Sequence, residues 1–313
     1  MRPYEVAKEE RRRVRSRPSP KSLQGAGRRV STHACRLCDR ALSLSPWTVA
    51  VARQVRSERS RPVPSLDGAN HRPTKDLDLL GRDSSELSEV ADAIREVCLI
   101  EASDGVVFDL DGMKAERIRE GAEYEGVRIR FRAELAAAQI PLQIDVGFGD
   151  TITPLPSLIA VPSVLGMDPP QVLAYPRETV VAEKLHAMVV LDISNTRMKD
   201  FYDLWFLSRS WPFQLIALAD AIRATFERRG TPLPAGTPFA LTPEFHSDAQ
   251  KSLQWRAFVK RLRLDSSTPT LDEIAEAIRR FTEAPIAEAR SQTAGEKTWS
   301  VSSGWATPSS KLD

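Results

Sequence analysis

The sequence predicts an α+β fold: a mixed sheet with flanking helices, followed by a helical C-terminal domain. Two patterns carry this expectation. Short apolar or alternating runs at 75–80, 105–110, 127–135 and 141–150 read as strands, and past Pro176 the apolar residues recur at helical spacing. The length supports it, since 313 residues with 42% hydrophobic and 27% charged side chains are enough for a sizeable core in about one or two domains. The predicted divisions are a basic arm over 1–62, an α/β core over 63–165, a helical domain over 166–285 and a mobile tail over 286–313.

The net charge of +2 hides a strong asymmetry. Residues 1–65 hold 16 Lys and Arg against 5 Asp and Glu, and the remainder holds 28 against 37, so the arm carries +11 and the rest −9. Such an arm attracts nucleic acid, although a solvated tail is the simpler expectation. Within it, LSLSPWTVAVARQV (43–56) is consistent with one short helix. His33, Cys35 and Cys38 supply three zinc-type ligands, but structural zinc takes four and no second pair follows at finger spacing. With Cys98 the cysteines number three, which suits a reducing compartment. No apolar run approaches the roughly 18 residues of a membrane span, and the first residues lack a signal core, so a cytoplasmic protein with no membrane partner is expected.

In the core, KDLDLL (75–80) reads as the first strand. SSELSEVADAIREVC (84–98) is an amphipathic helix with Ser84 or Ser85 as cap and Leu87, Val90, Ala91, Ile94 and Val97 on one face. GVVFDL (105–110) is a strand, followed by a polar loop or hairpin containing Gly112 and Gly121. VRIRFRAEL (127–135) alternates, with Val127, Ile129 and Phe131 on one face and Arg128, Arg130 and Arg132 on the other. That arginine face is a solvated surface or a basic stripe for phosphate or RNA, the former being simpler. PLQIDVGFGD (141–150) is another strand, and a Pro-rich connection spans 152–176.

Helices follow at 177–191, where Val181, Leu185 and Met188 share a face with Lys184 beside them, and at 195–210, opened by Asn195 or Thr196. Further helices fit 214–229, 248–262 and 270–282, each with core-type residues at helical spacing.

Chemistry is concentrated in the carboxylates. Residues i and i+2 of a strand share a face, so Asp76 and Asp78 aim at one spot from about 6 to 7 Å apart. Two ionised carboxylates repel unless a hard cation such as Mg²⁺ brings them together, although an Asp-x-Asp also arises by chance. Asp145, isolated in the apolar run IDVGF, is the third candidate or else a satisfied strand-end Asp. A carboxylate trio holding metal can lower the pKa of an attacking hydroxyl and neutralise a leaving pyrophosphate, which suggests nucleotidyl transfer. Lys184 is either a snorkelling surface lysine or a phosphate-contacting cation. Arg197, Lys199, Asp200 and Asp203 form a charged helix face, with Lys199 and Asp203 an i,i+4 pair.

The segments HRPTKDLDLLG, IPLQIDVGFGD, YPRETVVAEKLHAMV and NTRMKDFYDLW, in this order, resemble the AbiEii/AbiGii toxin family of nucleotidyltransferases, which includes the MenT-like toxins. The resemblance covers residues 69 to 262 and implies a DNA polymerase β-like nucleotidyltransferase fold. It implies the toxin half of a toxin–antitoxin or phage-defence system, with a cognate antitoxin such as a winged-helix regulator, and transfer from an NTP to an RNA acceptor such as the tRNA 3′ end. Carried over by motif, Asp76, Asp78 and Asp145 hold Mg²⁺ or Mn²⁺, and Asp145 completes the metal site or helps activate the acceptor hydroxyl. Lys184 contacts NTP phosphates, and Lys199, Asp200 and Asp203 line the nucleotide side of the cleft. One departure stands out: the family's glycine turn before the Asp-x-Asp is replaced here by SERSRPVPS, and Gly68 and Ala69 lie too near Asp76 to fill that role. Two alternatives follow: a degenerate member that binds nucleotide or antitoxin without turnover, and a basic-arm RNA-binding module.

Overall fold

The computed structural model describes residues 48–49, 76–82, 84–100, 105–120, 124–160, 171–262, 264, 268–293 and 295–307. A five-stranded sheet in the order β1-β2-β5-β4-β3 forms its first half: β1 (Thr48–Val49), β2 (Asp76–Gly81), β3 (Val106–Glu120), β4 (Tyr124–Leu135) and β5 (Ala138–Phe148). β2 runs parallel to β5 and the other pairs are antiparallel, so the sheet is mixed. Alternation decides its faces. Leu77, Leu79, Val127, Ile129, Phe131, Ile144 and Val146 pack into one cluster with Val90, Ile94 and Cys98 of helix α1 (Leu87–Leu99). At the helix entry, Ser84 accepts a hydrogen bond at 3.1 Å from the backbone N–H of Glu86, the residue in the cap position.

Three expectations are corrected in this half. Thr48 and Val49, inside the helix expected over 43–56, instead pair with Leu80 and Leu79 on the edge of β2, where β-branched residues are favoured. The rest of that segment, and His33, Cys35 and Cys38, lie outside the described residues. Second, β3 runs through Gly112, which was expected in a loop, by absorbing a register shift between Asp109 and Lys114. Gly112 suits that bulge because its N–H donates to Asp109 Oδ1 at 3.1 Å and a Cβ there would lie 2.6 Å from Asp109 Oδ2. Third, the Pro-rich connection contains an antiparallel strand pair, β6 (Ser157–Ala160) with β7 (Gln171–Ala174), held to the sheet core by buried Val172 and Ala174.

The helical half comprises α2 (Arg177–Leu191), α3 (Met198–Ser210), α4 (Leu215–Arg228), α5 (Pro243–His246), α6 (Ala249–Leu262) and α7 (Leu271–Ser291). Val181, Leu185, Phe201, Leu204, Leu218, Ile222, Ile274, Ile278 and Phe281 form its core, and Phe201 stacks on Phe245 at 5.5 Å. α7 opens on a reciprocal cap in which Thr270 and Glu273 satisfy each other's backbone N–H groups. A proline inside a helix usually ends it, hence the expected stop at 282. Pro285 is instead buried within α7, which continues to Ser291.

Within the tail expected to be mobile from 286, the described residues are structured instead. Strands β9 (Thr298–Ser300) and β10 (Gly304–Ala306) join β8 (Phe213–Gln214) in a three-stranded sheet. Two tryptophans explain the docking: Trp299 donates to the Ser208 carbonyl at 2.7 Å and Trp305 to the Phe281 carbonyl at 2.9 Å while their rings cover Phe281. Among the described residues no helix is long and apolar enough to cross a membrane.

Candidate functional site

Register places two of the three acidic residues side by side. In the parallel ladder Asp78 stands opposite Asp145 and Asp76 opposite Gln143, so the backbones of Asp78 and Asp145 lie about one strand spacing, roughly 4.8 Å, apart. Of Asp76 only this backbone pairing is described. Both Asp78 and Asp145 fall on the sheet face away from α1, because their chain neighbours Leu77, Leu79, Ile144 and Val146 fill the core.

On the other side of Asp145 stands Arg128 of β4, its antiparallel partner. Its guanidinium grips Asp145 with two parallel bonds, Nε to Oδ1 at 2.7 Å and Nη2 to Oδ2 at 2.6 Å. Such forked, charge-assisted pairs are short and strong, and this one is partly sheltered, with side chains 27% and 18% exposed. Gln143 adds a longer contact to Oδ2 at 3.4 Å and itself accepts from Arg130, which also meets Glu116. The expected arginine face therefore exists, but Arg128 and Arg130 are engaged with acidic and amide partners along the sheet. Arg128 as the partner of Asp145 was not anticipated. The signal was present: a two-residue turn at Ala136 and Ala137 pairs residues whose numbers sum to a constant, and Leu135 opposite Ala138 implies Arg128 opposite Asp145.

Lys184 of α2 lies in a second charged group. It is 4% exposed, and its Nζ lies 2.6 Å from Asp200 Oδ1 and 2.8 Å from Asp203 Oδ2. Asp200 and Asp203 share a face because they sit three apart on α3. Asp203, which the sequence places four residues after Lys199 on the same helix, also makes this contact between helices, and Lys199 is exposed on α3. In this arrangement Lys184 is sheltered between two carboxylates.

The halves meet where these groups approach. Leu80 of β2 packs with Tyr175 and Val180, and Leu207 and Ile152 join them. Asp78 is two residues from Leu80 on the same strand, and Lys184 is one turn from Val180 on the same helix. The loop after β5 fastens the joint. Arg228 donates to the Gly149 carbonyl at 2.7 Å, Arg229 lies 3.3 Å from Asp150, and Thr179 exchanges hydrogen bonds with the Thr153 backbone. Gly149 has φ +77°, a conformation that disfavours any side chain. Asp150, not singled out in the sequence, thus acts as an anchor of the loop. Nearby His186 meets Thr231 Oγ1 at 2.8 Å and Phe226 edge-on. Burial first, and the charge of Arg229 second, lower its pKa to about 4, so its imidazole is neutral near pH 7. A cavity of about 540 Å³ opens elsewhere, between Thr153, the start of α4 and Lys297, and none of the candidate acidic residues lines it.

The donor chemistry at Asp78 and Asp145 suits a hard divalent ion, since both offer carboxylate oxygens from adjacent strands. The fit is conditional on Arg128, which now takes one lone pair from each oxygen of Asp145. Among the described residues, no group of three His, Cys, Asp or Glu side chains is arranged to hold an ion.

A mixed sheet with paired acidic strands, closed by a helical half, defines a nucleotidyltransferase-type α+β protein. The chain belongs to the AbiEii nucleotidyltransferase toxin family of type IV toxin–antitoxin systems, whose profile matches residues 66–277. Membership implies a cognate antitoxin. Among solved structures, JHP933 from Helicobacter pylori is similar, with 13% identity, 83% of this chain and 92% of that chain covered, and a TM-score of 0.42. A candidate nucleotidyltransferase from H. pylori is also similar, with 13% identity, 85% and 97% coverage, and a TM-score of 0.44. No curated protein matches the chain.

Proposed function

We propose that the protein is a toxin that transfers a nucleoside monophosphate from an NTP to an RNA acceptor, such as the 3′ end of tRNA, using Mg²⁺ or Mn²⁺. The observation that carries this reading is the cross-strand pairing of Asp78 with Asp145 on the sheet face that borders the helical half. In this reading the acceptor hydroxyl gives up its proton to a base, Asp145 or water, and attacks the α-phosphorus, the bond to the β-phosphate breaks, and pyrophosphate leaves. A bound divalent ion would supply charge neutralisation and a lowered hydroxyl pKa. Asp76, Asp78 and Asp145 would hold it. Lys184 would have to exchange Asp200 or Asp203 for a phosphate oxygen to contact the NTP, and Lys199 would approach the nucleotide from solvent. The setting would be cytoplasmic, with an antitoxin such as a winged-helix regulator and a part in phage defence.

The test is incubation of purified protein with labelled NTPs, Mg²⁺ and total tRNA. Label enters RNA with the unmodified chain and drops by at least a hundredfold, on the order of one lost catalytic group, with Asp78→Ala. Absence of label, or equal transfer by the variant, would sink the catalytic reading. A second reading, a member that binds nucleotide without turnover, is favoured by SERSRPVPS in place of the glycine turn and by the engagement of Asp145 with Arg128. Nucleotide binding with no transfer under the same conditions would select it.

A further inference from the structure

The geometry points to Arg128 as a positioning residue that gates metal access to Asp145, acting as an internal counter-ion that a divalent cation must displace. The inference rests on the metal-binding reading above and adds what controls it. Asp78 and Asp145 lie opposite each other on adjacent strands. Left alone, two such carboxylates repel, and their charge is relieved either by an external cation or by a protein one. Here the protein cation is in place. Arg128 spans both oxygens of Asp145 at 2.6 and 2.7 Å, and the β4–β5 ladder sets it directly opposite.

A divalent ion coordinated by the same carboxylate would sit close to the guanidinium, and two cations on one carboxylate repel strongly in a partly sheltered site. Mg²⁺ and Mn²⁺ also demand their own directions at the oxygens, which a planar fork already claims. Binding therefore requires Arg128 to swing aside, and its 27% exposure gives the side chain solvent to move into. The cost of that displacement is subtracted from metal affinity, and the gain without metal is a sheet with one less unpaired buried charge. Arg128 touches no reacting atom in this scheme.

The experiment measures Mn²⁺ binding directly, from the loss of the free-ion paramagnetic resonance signal, on the full chain. Melting curves with and without Mn²⁺ accompany each variant. Arg128→Gln should bind Mn²⁺ on the order of tenfold more tightly than the unmodified chain, the scale of one lost charge-assisted contact. It should also melt lower without metal and recover when Mn²⁺ is added. Arg128→Lys, which keeps the charge and loses the fork, should fall between the two and decides the matter should the glutamine variant not fold. Adding Asp145→Asn to either variant should erase the gain. Unchanged or weaker binding in the Arg128 variants, or a gain that survives Asp145→Asn, would overturn the inference. Because binding is read without turnover, tight Mn²⁺ binding with no label transfer would count against the transferase reading alone.

Discussion

Removing the ammonium of Lys184 leaves Asp200 and Asp203 facing each other with almost no solvent. Breaking a buried ion pair by deleting one partner costs about 3–5 kcal/mol, because the remaining charges are not rehydrated. Lys184→Ala should therefore lower the urea midpoint strongly as well as any transfer, and Lys184→Met with Asp200→Asn and Asp203→Asn should recover much of the stability without recovering transfer. A denaturant series on the two variants checks this. His186 makes a separate prediction. Its folded pKa of about 4 lies below the 6.5 of the unfolded chain, so below pH 6.5 the unfolded state takes up the proton first. Its contribution is full above pH 6.5 and falls as the pH drops toward 4. His186→Gln, which can still hydrogen-bond Thr231, should flatten the melting temperature over that window. The sequence showed which residue types carry charge, but not which partner each would find. Asp78, Asp145 and Lys184 were identifiable as unusual because each interrupts an apolar pattern. That Lys184 would meet Asp200 and Asp203 depends on helix packing, which residue spacing does not encode, whereas Asp145 meeting Arg128 follows from the strand register once the turn at Ala136 and Ala137 is placed.

At the scale of elements, the core sheet strands and the helices at 215–228 and 249–262 followed from periodicity, whereas the helix at 177–191 is buried on most of its sides, from Thr179 to Met188, and was legible from its apolar content and its preceding proline. The misses share a cause. Gly112, Pro285 and the Ser-rich end all read locally as breaks, whereas long-range contacts override them: a bulge stabilised by Asp109, a helix packed around Pro285, and a hairpin held by two tryptophans. α7 offers a measurable case. Thr270→Ala removes the side-chain half of the reciprocal cap, leaving the backbone N–H of residue 270 on Glu273, and should cost about 1 kcal/mol, seen as a shift in the chemical midpoint without a change in slope. Trp299→Ala should cost about 3–5 kcal/mol, since the ring is buried against Phe213 and Phe281 side chains of the core and its N–H reaches Ser208.

Across the whole molecule, charge is distributed so that +11 lies in residues 1–65 and −9 in the rest. Removing residues 1–46, which keeps β1 on the edge of β2, should weaken RNA binding in a salt-dependent way, with a shallower dependence of affinity on salt concentration, while leaving transfer measurable at saturating RNA. Loss of all RNA binding would instead identify the arm as the working part. The joint between the halves has its own weakness at Arg228, Arg229 and Thr179, all of which clasp the loop that follows Asp145. The final strands reach the same machinery from another direction. Trp299 hangs from the Ser208 carbonyl, at the far end of the helix whose first turns carry Asp200 and Asp203. Tension applied to the C-terminus, whether from a fused tag or a clamping partner, is thus delivered as a pull on the scaffold of the Lys184 cradle, and a handle for immobilising the protein belongs elsewhere.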